Sequence, residues 1–266
     1  MKSKKETALE REILKRLSGK CLEMANFIFN DFEIKYLMDY ANIVSIKRLG
    51  FNDHGPVHMK TASLNSMIMF DLLKDAGVQF SLVSEQVGSV EDSKVAVFTA
   101  SMLHDIGMTV GRDNHEIYSM IFAVNIIDRL LKEIYKTEAE KRIILRSLIM
   151  EGIAGHMATQ KIHSIEAGLV LIGDGCDMEK GRARIPTLLK TKPKVGDIHR
   201  YSSTAIQDLS ISKGSRKPIR IDVKMSESVG FFQIESVLFP KILSSPVRPY
   251  IELYAGVIGQ EMMEYL

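Results

Sequence analysis

The chain has 266 residues, 45% of them hydrophobic and 26% charged, with a formal net charge of +2. That length accommodates one large domain or two unequal ones with real cores, and the balance of residue types excludes a disordered chain. The two cysteines, Cys21 and Cys176, lack CxxC spacing, which excludes a disulfide framework and a thiolate metal site, and the longest apolar runs, such as 95–103, are too short to span a bilayer.

Residues 1–5 are basic but lead into Glu6, Glu10, Arg11 and Glu12 rather than an apolar stretch, so no ordinary secretory signal is expected and the predicted location is cytoplasmic. From residue 7 to about 40, Leu9, Ile13, Leu17, Leu22, Ala25, Ile28 and Phe29 recur at helical spacing, with a break near Ser18-Gly19. The cluster Asn52-Asp53-His54-Gly55-Pro56 makes a turn. A helix is predicted over 57–74, with Pro56 close to its first turn and His58 projecting from that turn. The next helix, 93–104, has a continuous apolar face that implies deep burial, and it stops at Asp105-Ile106-Gly107. Further helices are predicted at about 114–135, 137–153 and 163–173, so all of 1–180 reads as helical.

The pattern changes near Pro186, and 190–194 looks like a solvated connection. Beyond it, 205–211 and 218–225 alternate apolar and polar residues around Lys213-Gly214-Ser215, which predicts a hairpin. A helix is predicted over 227–243, weakened by Gly230 and Pro240, and a third strand over 248–255. The predicted class is therefore mainly α: a helical domain, 1–195, followed by a small α+β domain, 196–266, serving dimerisation or regulation.

The histidines stand at helix ends, where polar side chains can face a shared cavity. His58 opens a helix, His104-Asp105 closes one, His115 starts one, His156 follows Gly155, and Asp174 lies late in the last helix of this part. Imidazole nitrogen with carboxylate oxygen is the donor set that a hard or borderline divalent ion at a hydrolytic site requires. Asp105 has two carboxylate oxygens and so the means to bridge two ions.

His58, His104-Asp105-Ile106-Gly107 and Asp174, in that order in an all-helical setting, resemble the signature of the HD superfamily of metal-dependent phosphohydrolases, in particular archaeal members. The resemblance covers about residues 50–185. It implies an HD-type helical bundle and one or two divalent ions (Mn, Fe, Mg, Ni, Co or Zn) on His58, His104, Asp105 and Asp174, with His104 and Asp105 central to catalysis. It further implies that His115 and His156 hold the second ion. Met108 stands where many members of the family carry Lys, and Met157 follows His156 where the cyclic-dinucleotide phosphodiesterase branch carries a second His. His54 and Asp177 are placed to support the ligands from behind, and Arg112, Lys180, Arg182 and Arg184 to meet a substrate phosphate.

The implied activity is hydrolysis of a phosphate ester or anhydride, with a small phosphorylated substrate of the nucleotide type. Two alternatives use the same residues: an HD-fold di-iron oxygenase, and a non-catalytic nucleotide-binding regulator. The basic stretch 182–224 has no aromatic residue besides Tyr201 and reads as a solvated face, so no nucleic-acid partner is expected, and no membrane partner either. Pairing of the C-terminal strands across a two-fold axis would make a homo-oligomer.

Overall fold

Helix ends in this chain are set by polar caps. The computed structural model describes residues 2–178 and 198–266; Lys180, Arg182, Arg184, the connection 190–194 and the boundary at 195 lie outside them. Helix α1 (Lys4–Leu14) starts at a capping box, in which Ser3 Oγ accepts from Glu6 N–H and Glu6 accepts from Ser3 N–H. Helix α2 (Gly19–Asn30) follows the expected break, and a second break falls at Asp31, whose side chain caps α3 (Phe32–Ile43) by accepting from Ile34 N–H. A π-helical turn (Val44–Leu49) ends at Gly50, held at φ +70°. Helix α4 (Pro56–Asp75) begins with the proline, as predicted.

After the short α5 (Ser81–Ser84) comes α6 (Val90–Leu103), capped by Ser89 and Asp92 and buried along nearly its whole circumference. A helix apolar all round belongs at the centre of a bundle, and α2 and α4 pack on α6. So do α8 (Ala139–Gly155) and α9 (Ile165–Gly175). Between them in the chain lie a 3-10 turn (Ile106–Thr109) and α7 (His115–Ile134), which packs on both that turn and α8. Among the described residues, no helix is long and apolar enough to cross a membrane.

The C-terminal part is α+β. Helix α10 (Ile198–Ala205) leads into the predicted hairpin, β1 (Ile206–Lys213) against β2 (Ile219–Met225). The helix expected over 227–243 is broken into a 3-10 turn (Ser228–Gly230), α11 (Phe231–Gln233), a π-turn (Ile234–Leu238) and α12 (Phe239–Ser244), with Pro240 in the first turn of α12. The third strand, β3 (Ile251–Val257), begins later than expected because Arg248–Tyr250 form a 3-10 turn. It runs parallel to β2, and a two-residue β4 (Met263–Glu264) closes the order β1-β2-β3-β4. Ile219, Ile221, Val223, Ile251, Leu253 and Ala255 are fully buried and share one continuous apolar cluster with the helices.

Candidate metal centre

Each predicted ligand stands where its helix begins or ends. His58 lies in the first turn of α4, after the proline that fixes the start of the helix. His104 is the C-cap of α6 and Asp105 follows at φ −107°, ψ 4°, which turns its carboxylate out of the helical path. His115 is the first residue of α7, and His156 is the C-cap of α8. Asp174 is in the last turn of α9 and Asp177 just beyond it. All six expected ligands are buried, His58 and His104 completely.

The six converge on a single cluster of atoms. His58 Nε2 lies 3.1 Å from Asp105 Oδ2, 3.1 Å from Asp174 Oδ1 and 3.2 Å from His104 Nε2. His104 Nε2 is 3.6 Å from Asp174 Oδ1 and 3.7 Å from Asp105 Oδ2. On the other side of Asp105, Oδ1 lies 3.1 Å from His115 Nε2 and 3.3 Å from His156 Nε2, and those two nitrogens are 3.0 Å apart. Two ligand groups result, His58-His104-Asp105 and Asp105-His115-His156, joined at Asp105.

The ring tautomers follow from the acceptors behind each histidine. Carbonyl oxygens only accept, so the Nδ1–H of His104 donates to Ser101 O, that of His115 to Arg112 O and that of His156 to Ile153 O, at 2.7–2.8 Å. The Nδ1–H of His58 donates to the Asp177 carboxylate at 2.6 Å. In the neutral rings all four Nε2 atoms therefore carry lone pairs, and these are aimed at one another and at carboxylate oxygens. Such an arrangement is repulsive unless positive charge, a metal ion or a proton on a ring, lies among the donors. Asp105 Oδ2 is also buried and has no hydrogen-bond partner among the described residues. Neutral imidazoles fixed through Nδ1, with carboxylates alongside, are the donor set of a divalent metal site, and this cluster can hold one.

The charges of the cluster act on one another. Burial raises the Asp105 carboxyl, but the surrounding histidines outweigh it and hold Asp105 well below the usual range. Burial likewise raises Asp174, while the Lys241 ammonium and the bonds to His104 and His58 pull it well below. Burial pushes His156 down to about 4, so it is neutral near pH 7. In His115 burial acts downward and is overcome by the bond to Asp105, which raises it.

Arg112 comes to the edge of the cluster. Its guanidinium can only donate, so His54 Nε2 accepts from it at 2.8 Å and the Nδ1–H of His54 donates to Asn52 O. The His54 ring centroid is 5.6 Å from that of His58. Of the supporting residues read from sequence, Asp177 thus holds His58, and His54 fixes Arg112. Lys241 of α12 went unnoticed: its Nζ pairs with Asp174 Oδ2 and donates to His156 O at 2.8 Å. The available signal is its place in the α12 segment, where a lysine sits among the buried Leu238 and Ile242.

No family model matches the chain, and no solved structure matches it. Among curated proteins it is similar to the uncharacterized protein MJ1020 of Methanocaldococcus jannaschii, 35% identical over 249 residues that span 94% of each chain.

Proposed function

The chain belongs to the same family as the Methanocaldococcus jannaschii protein, and for this member we propose metal-dependent phosphohydrolase activity of the HD type on a phosphate ester or anhydride, with a nucleotide as the substrate class. The observation that carries the reading is the set of four Nε2 lone pairs gathered around Asp105, each ring fixed through its own Nδ1–H. His58, His104, Asp105 and Asp174 would hold one divalent ion, and Asp105, His115 and His156 a second. Bound there, ions supply a water acidic enough to be hydroxide near neutral pH and neutralise charge on a phosphoryl group. Mn, Fe, Co, Ni and Zn accept this mixture of imidazole and carboxylate, whereas Mg prefers an all-oxygen set.

The chain's own residues do the positioning. Asp105 presents one oxygen to each histidine group, so it sets their spacing. Arg112, aimed by His54, offers charged N–H donors beside the histidines, where an anionic substrate oxygen is stabilised. Burial pushes the Cys176 thiol up and so denies it thiolate character, which favours attack by water over a covalent route. The test is to screen manganese-loaded protein against nucleoside mono-, di- and triphosphates and cyclic nucleotides, measuring released phosphate and nucleoside. Turnover abolished by Asp105→Ala supports the reading. Metal-loaded protein that cleaves none of the panel would overturn it.

A further inference from the structure

Lys241 is buried to 8% exposure at the edge of the cluster, although it arrives from the far end of the chain. Its ammonium pairs with Asp174 Oδ2, while the other oxygen of Asp174 faces His58 and His104. The same ammonium donates to His156 O at the C-terminal end of α8, where carbonyls have no partner within the helix and the helix dipole favours a cation. One group therefore bridges the two helices that bring ligands to the two halves of the cluster.

The path of Lys241 into the site is shaped by the face of α9. A Cβ on Gly175 would lie 3.0 Å from Lys241 Cδ, so the stem of the lysine crosses the helix at that glycine. Seven residues earlier on the same face, a Cβ on Gly168 would lie 2.6 Å from Ser245 Oγ and 2.8 Å from Val247 Cγ2. The two glycines leave a flat strip on which 241–247 lies. The lysine is thus seated by its neighbours rather than reaching in from solvent.

We propose that Lys241 is a positioning residue of the metal centre, through which the C-terminal α+β part sets the affinity of the helical part for its ions. By engaging Oδ2 it leaves Asp174 a single oxygen to turn toward His58 and His104, and by holding His156 O it fixes the distance between α8 and α9. The inference rests on the reading of the cluster as a metal site, and not on the reaction proposed for it.

The experiment is calorimetric titration of the metal-free full chain with Mn2+, together with metal content after gel filtration, for wild type, Lys241→Met, Lys241→Gln and Val247→Ala. Methionine keeps an apolar stem over Gly175 without the charge, glutamine keeps a neutral donor, and Val247→Ala loosens the same packing without touching the ammonium. The expected result is a loss of about 10–100-fold in Mn2+ affinity for Lys241→Met. Lys241→Gln falls between it and wild type, and Val247→Ala binds as wild type does. If Lys241→Met does not fold, Lys241→Gln against Val247→Ala makes the same comparison. Unchanged binding in the lysine variants overturns the inference, as does tighter binding, which would make the lysine a competitor of the ion. An equal loss in Val247→Ala also overturns it, by reducing the effect to packing. Failure of the wild type to take up Mn2+, Fe2+ or Zn2+ removes the metal reading itself, and this inference with it.

Discussion

A methyl group on Gly107 would lie 2.1 Å from the carbonyl oxygen of His115 and 2.4 Å from the amide nitrogen of Ser119, so only glycine lets the start of α7 approach the turn after Asp105. Gly107 N–H then donates to Ser119 Oγ at 2.8 Å and fixes that approach. This contact brings His115 to the carboxylate of Asp105 across a short stretch of chain. Gly107→Ala is expected to cost about 1–3 kcal/mol by overpacking, and to displace His115 first. Thermal melts would show the lost stability, and metal analysis would show loss of the ion on the His115-His156 side ahead of the other. At this scale the buried cluster of His and Asp that could hold a metal was legible because each of its residues has a chemistry that the helix-end pattern exposes. Lys241 was not, since its role depends on a contact with residues 67 and 85 positions earlier that no local pattern encodes.

Among elements, apolar spacing reveals the helices, and the turn chemistry reveals the β1-β2 hairpin. The breaks are less visible: Asp31 divides what reads as continuous helix, and the π-turns at Val44–Leu49 and Ile234–Leu238 preserve apolar spacing while altering the winding. A two-residue strand such as β4 is too short to show an alternation. One carboxylate joins three helices. Asp92 closes the N-terminus of α6 through Ser89 N–H at 2.8 Å, accepts from the hydroxyl of Tyr135 at the end of α7 at 2.8 Å, and pairs with Lys141 of α8 at 2.9 Å. Burial raises its carboxyl, but Lys141, Ser89 and Tyr135 together lower it below its ordinary 3.8. A depressed folded-state value adds stability that is fully present above 3.8 and fades as the pH falls below it toward the folded value. Asp92→Asn is therefore expected to lose about 1–3 kcal/mol at neutral pH. In urea melts the gap from wild type should narrow below pH 3.8; a gap independent of pH would show that the charge contributes nothing.

For the molecule as a whole, the mainly α class and the small C-terminal sheet followed from periodicity alone, whereas the way the sheet meets the helices did not. The buried faces of β2 and β3 share one core with α4 and α6, and β1 and β2 pack on α4. A shared core predicts one cooperative melting transition in calorimetry. Ions that bind only the folded state add about 2.7 kcal/mol per site at a hundredfold excess over Kd. At this size that corresponds to a rise of roughly 5–10 °C in Tm per ion. Two separate transitions, with only one moved by Mn2+ against EDTA, would show that the sheet melts independently of the site. The contact between Lys241 and Asp174 also has a meaning in time. The 67 residues from 175 to 241 take about 3–13 s to synthesise at 5–20 residues per second. Throughout that interval a growing chain already holds His58, His104, Asp105, His115, His156 and Asp174 but not the lysine that seats them. The centre is therefore completed only after residue 241 has been added, and a chain terminated before that residue carries the candidate ligands without their final support.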